Sequence, residues 1–392
     1  MTESRRLAVL NTHPIQYFAP LYAYLNQAPD LDVTALYCSN SSLRGGKDPG
    51  FGQSVTWDVD LLDGYRARFL GRRYRKRTPG GFWSLICPEV WGEIRRGNYD
   101  ALIVHGYSYA VVPIAVLAAK ASGTKVFMKS ETHLGLTRSE WKQKVRDGVL
   151  GVLYRGLDGA LAIGTENRRY YRHLGVPEEK IFLVPYAVDN ERFMTVSRLS
   201  PERRRELRAS FGVSDDATMV LFASKFTSRK HPDQVIRAVA MLGGDAGKVE
   251  LVMVGAGVLE GELRALVAEL DMPNVTFVGF INQSELPEVF GAADVFVLPS
   301  DEEPWGLIVN EVMCAGVPVV TTRAVGCVPD LIEDGVTGML IEPGDTEGLA
   351  AKLTVLAKDP TLRRDIGRAG LNRIRGWDYR RCAEGIRAAL SA

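Results

Sequence analysis

Two carboxylates flank a short turn in the second half of the chain. Glu303 precedes Gly306 and Leu307, and Glu311 follows them, after an apolar run typical of a buried strand. The amides of Gly306 and Leu307 would lie at the positive end of a helix, where a diphosphate binds favourably. Glu311, about one turn into the helix, can accept hydrogen bonds from ribose hydroxyls, and Glu303 would lie near a sugar. Acidic residues at a helix start also act as caps, so this segment alone leaves both interpretations open.

Positive charges cluster in another turn upstream. Lys225, Arg229 and Lys230 lie between an apolar run and a helical pattern that begins near Pro232. Cations at a helix N-terminus oppose the helix dipole unless an anion is bound among them. The two turns together therefore predict a site for a diphosphate, held by ammonium and amide groups.

Short apolar segments and helical patterns must position these turns. Because the apolar segments are continuous rather than alternating, we expect strands buried on both faces of parallel sheets. In the first half the predicted strands are residues 7–10, 33–37, 101–104, 125–128 and 160–163, with helices such as 110–121 and 166–174. In the second half they are 219–222, 250–254, 275–277, 295–298, 317–321 and 338–341, with helices 201–211, 232–242, 260–270, 284–291 and 308–315. Residues 360–392 are predicted to form two helices around Trp377.

Length and composition favour a cytoplasmic protein of two domains. The 392 residues exceed one ordinary core, and 46% apolar with 24% charged residues is typical of globular chains. The longest uncharged apolar run is too short for a membrane span, and the first residues do not resemble a secretory signal. Five scattered cysteines without a C-x-x-C pair argue against a disulfide framework or a zinc site.

The net charge of +1 hides an asymmetry between the halves. Residues 1–190 carry 25 Lys and Arg against 18 Asp and Glu, whereas residues 191–392 carry 23 against 29. Arginines concentrate between Arg66 and Arg77, and a second basic stretch, 138–155, carries Trp141, Val145, Val149 and Leu153 at helical spacing. Either stretch is a solvated face over a core stripe, or a docking surface for an anionic membrane or a phosphate-bearing acceptor. No nucleic-acid motif accompanies the arginines, so we expect no nucleic-acid partner.

Several motifs in order resemble family 4 of the retaining glycosyltransferases. Glu303 and Glu311 match its E-x7-E signature, residues 185–189 resemble its P-x-G-x-D, residues 254–257 its V-G-x-G turn, and residues 277–281 its segment beside the nucleobase. The resemblance covers residues 181–377 and implies an α/β, GT-B fold: two Rossmann-like doubly wound domains facing a central cleft. It implies an acceptor-binding domain at 1–190, a nucleotide-sugar-binding domain at 191–375, and a C-terminal helix, 376–392, that crosses back onto the first domain.

The family's functional residues carry over position by position. Lys225 and Lys230 fall on the basic pair that holds the diphosphate, Glu311 on the ribose ligand, Glu303 on the carboxylate beside the donor sugar, and His133 on a histidine that faces that sugar. The further donor-binding positions are Gly255, Phe280, Ile281, Trp305, Gly306 and Leu307.

This chain departs from the family pattern at two places. Lys225 stands where the family usually has arginine, which keeps the charge but loses the bidentate fork. The first strand leads into His13 and Gln16 rather than into a glycine-rich loop. These two side chains either replace the missing amides or face the acceptor, and Pro14 either serves that loop or only fixes a turn.

The resemblance implies transfer of a hexose, with retention at the anomeric carbon, from a nucleotide diphosphate sugar, with a UDP-sugar favoured. The acceptor would belong to cell-surface glycan, glycolipid or secondary-metabolite synthesis. No metal and no cofactor is expected, because cationic side chains and amides would stabilise the leaving diphosphate. The protein would be cytoplasmic, with peripheral contact at the inner face of the membrane.

Other functions remain open from the residues alone. Asp58 and Asp60 form an Asp-x-Asp, which a metal-dependent transferase would need at its donor site, but they lie far from the two diphosphate turns and before the arginine run, where alternation along a strand explains them. Gly255 and Gly257 suggest a dinucleotide-dependent oxidoreductase, but Glu260 occupies the position of the third glycine. A GT-B phosphorylase or epimerase, and a non-catalytic module that binds sugar nucleotides, would share the same residues.

Overall fold

The computed structural model describes residues 4–47, 54–71, 73, 75–136 and 140–392, which divide into two compact units. The first unit contains residues 1–46, 55–189 and 378–392, and the second contains residues 47–54 and 190–377. Within the described residues, no helix is both long and apolar enough to cross a lipid bilayer.

A seven-stranded sheet forms the centre of the first unit. Its strands run parallel in the order β5-β2-β1-β6-β7-β8-β9, and the central ones are buried on both faces, as their continuous apolar sequences predict. The strands are β1 Arg5–Asn11, β2 Leu31–Tyr37, β5 Arg66–Phe69, β6 Ala101–His105, β7 Lys125–Lys129, β8 Gly159–Ala162 and β9 Ile181–Leu183, with β3 Gly46–Lys47 and β4 Ser54–Val55 in a separate two-stranded sheet.

A six-stranded parallel sheet forms the centre of the second unit. Its order is β12-β11-β10-β13-β14-β15, so β10 lies at the position where the direction of winding reverses. The strands are β10 Thr218–Ala223, β11 Val249–Val254, β12 Val275–Gly279, β13 Val295–Leu298, β14 Val319–Thr322 and β15 Met339–Ile341.

Helices connect the strands in both units. They are α1 Ala19–Asn26, α2 Val90–Gly97, α3 Val111–Ala121, α4 Glu140–Arg155, α5 Thr165–His173, α6 Asn190–Val196, α7 Pro201–Ser210, α8 Pro232–Ala240, α9 Glu260–Glu269, α10 Leu286–Ala292, α11 Leu307–Cys314, α12 Val328–Leu331, α13 Thr346–Lys358, α14 Pro360–Ile374 and α15 Tyr379–Ser391. The predicted strands and helices are all present, with ends that differ by at most two residues. The predicted fold class, two Rossmann-like doubly wound domains, is confirmed.

The described basic residues of the arginine run are exposed, and two of them lie on a strand. Arg66 and Arg68 belong to the edge strand β5, where Arg66 pairs with Asp32, and Arg68 lies 3.2 Å from Glu93. The guanidinium of Arg75 lies 5.0 Å from the ring centroid of Phe69. The sequence prediction missed this strand because charged residues at a sheet edge lack the apolar pattern of a buried strand. Arg72 of this run, and Arg138 of the second basic stretch, lie outside the described residues.

The strand suggested for Asp58 and Asp60 is not present. Residues 56–65 form bends and a turn, in which the Asp60 carboxylate accepts a hydrogen bond of 2.8 Å from the N–H of Leu62. This local hydrogen bond is the one by which aspartate stabilises turns.

The last helix, α15, belongs to the first unit and packs beside β9. Arg387 on α15 forms two hydrogen bonds, of 2.7 and 2.9 Å, with the carboxylate of Asp30. A Cβ at Gly385 would lie 1.9 Å from the carbonyl oxygen of Leu183, so the close approach of α15 requires glycine there.

A buried ion pair fixes α7 to the sheet of the second unit. Arg208 is 1% exposed and donates to the Asp294 carboxylate at 2.8 Å, and also to the carbonyls of Ala292, Ser214 and Ala217. Asp294 also accepts from the N–H of Met219 at 2.8 Å, in the strand β10 that leads to the candidate site.

Candidate functional site

The turn after β10 carries the predicted diphosphate-binding lysines. All six residues of β10 are buried, and beyond its end the chain is anchored by Phe226, which is 0% exposed. Lys225 is half-buried before this anchor, and Lys230 follows it in a single 3-10 turn. His231 then takes a left-handed conformation, φ 46°, and α8 begins with Pro232. Because Phe226 is buried and Pro232 begins α8, the turn between them is fixed in place. Both lysines therefore lie at the carboxyl edge of the sheet, at the point where its winding reverses.

Two glycines let the neighbouring turn approach this one. A Cβ at Gly255 would lie 2.0 Å from the carbonyl oxygen of Ser224, and a Cβ at Gly257 would lie 2.4 Å from that of Phe226. The Gly255 N–H donates to the carbonyl of Gly279 at 2.8 Å. The V-G-x-G resemblance therefore corresponds here to a close packing of backbones that supports the lysine turn.

Ion pairs join the lysine turn to the segment after β13. The ammonium of Lys230 contacts the carboxylate of Glu303, and both side chains are largely buried. The imidazole of His231 lies 2.9 Å from the carboxylate of Asp301. The carboxylate of Glu303 balances the positive charge of Lys230. The expected cost of cations at the start of α8 is thus offset within the protein, and it does not by itself require a bound anion.

The start of α11 has backbone donors and no side-chain cap. Its N-cap residue Gly306 has φ 88°, and a Cβ there would lie 2.8 Å from Val325 Cγ1. The carbonyl of Glu303 accepts the N–H of Gly326 at 3.0 Å, which fixes the backbone beside the carboxylate. Because no side chain of the N-cap residue occupies the first N–H groups of α11, this helix end is suited to an anion.

Trp305 is buried between Glu303 and α11. It is 2% exposed, its ring stacks on Trp377 at 5.8 Å between centroids, and its Nε1–H donates to Asn310 Oδ1 at 2.9 Å. The side chain therefore fixes the turn between Glu303 and α11.

Replacing Asn310 with alanine should lower the free energy of unfolding by about 1–3 kcal/mol, because the buried Trp305 N–H loses its acceptor. Urea unfolding measures this. The matched control is Asn372→Ala, at an exposed position of α14, for which we expect a change within about 0.5 kcal/mol. Equal changes in the two variants would contradict the role given to this hydrogen bond.

Glu311 is buried in α11 with one carboxylate oxygen unpaired. The residue is 2% exposed, and Oε1 has no hydrogen-bond partner among the described residues. Burial raises the pKa of Glu311 to about 8, and the positive charge of Arg192 opposes that rise. Arg192 itself donates to the carbonyl of Gln283 at 2.8 Å. A buried carboxylate oxygen without a partner can accept a hydrogen bond from a ligand, for example from a hydroxyl group.

The remaining predicted donor positions lie nearby on the same edge. Phe280 and Ile281 are half-buried directly after β12, and Leu307 is 9% exposed at the first position of α11. Strands β12, β11, β10 and β13 are consecutive neighbours, so the structure brings together, at one edge of one sheet, the ten residues predicted in the second unit.

His133 lies in the first unit, in the loop between β7 and α4. It is 6% exposed, and its Nδ1 accepts the N–H of Gly135 at 3.1 Å. That bond assigns the proton of the neutral ring to Nε2. Asn167 holds the loop by donating to the carbonyl of Thr132 at 2.7 Å.

His13 and Gln16 lie after β1, in turns that lead into α1. Both are half-buried, and Thr12 Oγ1 lies 2.8 Å from His13 Nδ1. Burial lowers the pKa of His13 to about 4, so the ring is neutral at physiological pH. Because β1 neighbours both β2 and β6, these residues lie at the switch point of the first sheet.

Sequence reasoning missed a buried lysine beside this loop. Lys129 ends β7, is 4% exposed, and its ammonium lies 5.6 Å from the ring centroid of Phe18 and 5.7 Å from that of Tyr186. Burial lowers its pKa. The signal in the sequence is a lysine directly after the apolar residues 126–128. Arg192, beside Glu311, was missed because nothing in its local sequence marks it.

The two Rossmann-like sheets and the edge that carries Lys230, Glu303 and Glu311 define the GT-B class of glycosyltransferases. Residues 203–373 match the family described as glycosyl transferases group 1, and residues 16–187 match the family described as a glycosyl transferase 4-like domain. The chain belongs to the group 1, family 4-type glycosyltransferases.

Curated relatives support this assignment. The chain is 32% identical to a D-inositol 3-phosphate glycosyltransferase of Pseudarthrobacter chlorophenolicus, over 77% of this chain and 74% of the relative. It is 29% identical to a sulfoquinovosyl transferase of Arabidopsis thaliana, over 82% of this chain and 63% of the relative. A D-inositol 3-phosphate glycosyltransferase of Streptomyces avermitilis is 29% identical over 74% of this chain and 65% of its own length. The match thus spans less than two thirds of the last two proteins.

The fold is similar to that of a solved Anabaena protein, HepE, in complex with UDP. The TM-score is 0.76 at 18% identity, and the alignment covers 99% of both chains. At this identity the likeness concerns the fold.

Proposed function

We propose that the protein is a retaining glycosyltransferase that moves a hexose from a nucleotide diphosphate sugar to an acceptor. One observation carries the proposal: the buried carboxylate of Glu311 keeps an unpaired oxygen on the same sheet edge as the Lys230–Glu303 pair and the uncapped start of α11. A ribose hydroxyl can donate to the unpaired carboxylate oxygen, and a diphosphate can accept from the uncapped N–H groups at the start of α11 beside the ammonium of Lys230.

In this proposal the second unit stabilises the leaving group. Lys230 is held in place by Glu303, so little reorganisation is needed when a phosphate arrives beside its ammonium. Lys225 adds charge from the same turn, and the amides of Gly306 and Leu307 add hydrogen bonds. These groups act where negative charge develops as the bond between sugar and phosphate breaks, without a metal.

Glu303 and His133 are assigned to the reacting sugar by their likeness to the family's motif. Glu303 is fixed through its backbone and through Lys230, which suits a carboxylate that positions a sugar hydroxyl. His133, with Nε2 protonated, can donate a hydrogen bond. Retention at the anomeric carbon follows from the same resemblance.

The favoured donor is a UDP-sugar. Support comes from the Anabaena neighbour, solved with UDP and with UDP-glucose. Phe280 and Ile281, half-buried after β12, are proposed to contact the base.

The acceptor is proposed to be bound by the first unit, with His13 and Gln16 among its contacts. The proposed acceptors are precursors of cell-surface glycans, glycolipids or secondary metabolites. Residues 1–190 carry more basic than acidic residues, and this excess of positive charge suits a phosphate-bearing acceptor or an anionic membrane. The cytoplasmic location stays a prediction from the sequence.

A thermal-shift screen of UDP-, GDP- and ADP-sugars tests the proposal. A donor at about 100 times its dissociation constant should stabilise the protein by about 2.7 kcal/mol. Mass spectrometry then detects the glycosylated product, NMR of its anomeric proton reports retention, and excess EDTA should leave the rate unchanged. Binding without product would indicate a non-catalytic module, and a sugar phosphate formed from added inorganic phosphate would indicate a phosphorylase.

Donor affinity should rise with pH. Because the pKa of Glu311 is raised to about 8, the ionised acceptor of the ribose hydroxyls forms only as the pH approaches that value. Affinity should therefore increase by up to about tenfold per pH unit below pH 8. Isothermal titration calorimetry between pH 6 and 8 measures the dissociation constant of the donor. This pH range is chosen because it ends at the pKa of Glu311.

The variant Glu311→Gln separates this effect from others. A folded-state pKa above the unfolded value means that the contribution of Glu311 to stability falls as the pH rises from 4.5 towards 8. The glutamine variant should bind donor weakly at every pH, yet melt at a higher temperature than the parent above pH 8. Glu262→Gln, at an exposed position of α9, is the control and should change neither property. A parental binding profile in Glu311→Gln would remove the ribose assignment.

A further inference from the structure

Helix α4 of the first unit presents a row of exposed apolar side chains. Trp141 is 66% exposed, Val145 61%, Val149 65% and Val152 66%. Such large apolar side chains are normally packed in a core, and a row of them along one helix marks an interaction surface. These four residues are called the α4 stripe below.

The α4 stripe is one continuous face of the helix. At about 100° per residue, its four positions fall within an arc of about 80°. The opposite face is packed into the core of the first unit through Leu150, 5% exposed, and Tyr154, 2% exposed, with Leu153 partly buried against the same core. The sequence spacing predicted that Trp141, Val145, Val149 and Leu153 share one face of the helix. In the structure Val152, not Leu153, shares the exposed face with the other three. The interpretation that Trp141, Val145 and Val149 pack over the core is therefore wrong.

The described charges beside the α4 stripe are positive where they are exposed. Lys144 and Arg155 are exposed and lie, at about 100° per residue, next to Trp141 on one side of the stripe. The acidic Asp147 is largely buried and already paired, with Arg146 at 3.0 Å and with His173 at 3.2 Å. The exposed face therefore combines apolar side chains with cations, which complements a layer of anionic headgroups over acyl chains.

We propose that the protein binds an anionic lipid bilayer through the α4 stripe, with α4 lying in the plane of the headgroups. Trp141 enters the interfacial region, where amphipathic rings are favoured, and the valines enter the boundary with the acyl chains. Lys144 and Arg155 contact lipid phosphates. This property is independent of the transfer reaction, since α4 carries none of the residues assigned to donor or acceptor.

Flotation of the 392-residue chain with lipid vesicles tests the proposal. We expect binding to vesicles of equal parts phosphatidylcholine and phosphatidylglycerol, weak binding to phosphatidylcholine alone, and release by high salt. The variant W141S/V145S/V149S/V152S should bind at least about tenfold more weakly, because each CH₂ removed from a lipid interface costs about fourfold in partitioning. Lys144→Glu with Arg155→Glu should lose the preference for anionic vesicles.

The matched control changes exposed apolar residues of the second unit. Val258 and Val355 are 74% and 46% exposed, and V258S/V355S should bind vesicles as the parent does. All variants should keep the parental melting temperature and the parental donor-induced thermal shift, so that a loss of lipid binding is not a loss of fold. Parental vesicle binding by the serine variant would overturn the proposal. So would a parent that ignores vesicles but self-associates through this face in sedimentation velocity, because the occupant would then be a second copy.

Discussion

Replacing Lys230 with alanine should lower the rate of sugar transfer by about 100- to 1000-fold, the usual loss when one positioned donor to a developing anion is removed. The ammonium contacts Glu303, and the two side chains are only 11% and 14% exposed. In such a weakly hydrated position a positive charge interacts strongly with a departing diphosphate. The rate is measured as release of nucleoside diphosphate from the donor that the thermal screen selects.

Two comparisons separate this effect from a loss of structure. Lys248→Ala removes a half-exposed lysine of the same unit and should transfer sugar at the parental rate. Glu303→Gln should also lower the rate at least about 100-fold, and the double variant should lose less than the product of the two losses, because the residues act as a unit. Parental rates in Lys230→Ala would show that the site assignment is wrong.

Replacing Asp294 with alanine should lower the free energy of unfolding by about 3–5 kcal/mol, because it leaves the buried charge of Arg208 without its partner. Arg208 is 1% exposed, so water cannot replace the carboxylate. The same change also removes the acceptor for the Met219 N–H at the start of β10. The measurement is the midpoint of urea unfolding.

Arg204 supplies the matched control for this prediction. It contacts the other oxygen of Asp294 at 2.8 Å, but its side chain is 35% exposed. Arg204→Ala should therefore cost at most about 1 kcal/mol, as expected for a pair open to solvent. If the two variants unfolded at the same denaturant concentration, burial would not be the reason for the strength of the Arg208 pair.

The sequence predicted the sheets well because each central strand carries its own signal. A continuous apolar run such as Val295–Leu298 indicates a strand buried on both faces, whatever lies beside it. The edge strand β5 has no such signal, since Arg66 and Arg68 alternate with apolar residues on a strand that is partly solvated. It was missed for this reason.

The sequence also predicted that the lysine turn and the turn before α11 lie together, but it did not predict the contacts between them. Glu303, Gly306 and Glu311 follow one another closely, so their spacing along one turn and helix is a local property. Whether Glu303 contacts Lys230, 73 residues earlier, depends on β13 lying next to β10, and local spacing does not encode that neighbour.

By itself, then, the sequence determined the alternation of strands and helices, the family resemblance and the set of candidate site residues. Only the tertiary structure decided that Trp305 is buried against Trp377, that Glu311 keeps an unpaired oxygen, and that the α4 stripe faces outwards. The reason is physical. Secondary structure follows from backbone preferences and periodicity within a few residues, whereas burial and pairing depend on which distant elements pack against a side chain.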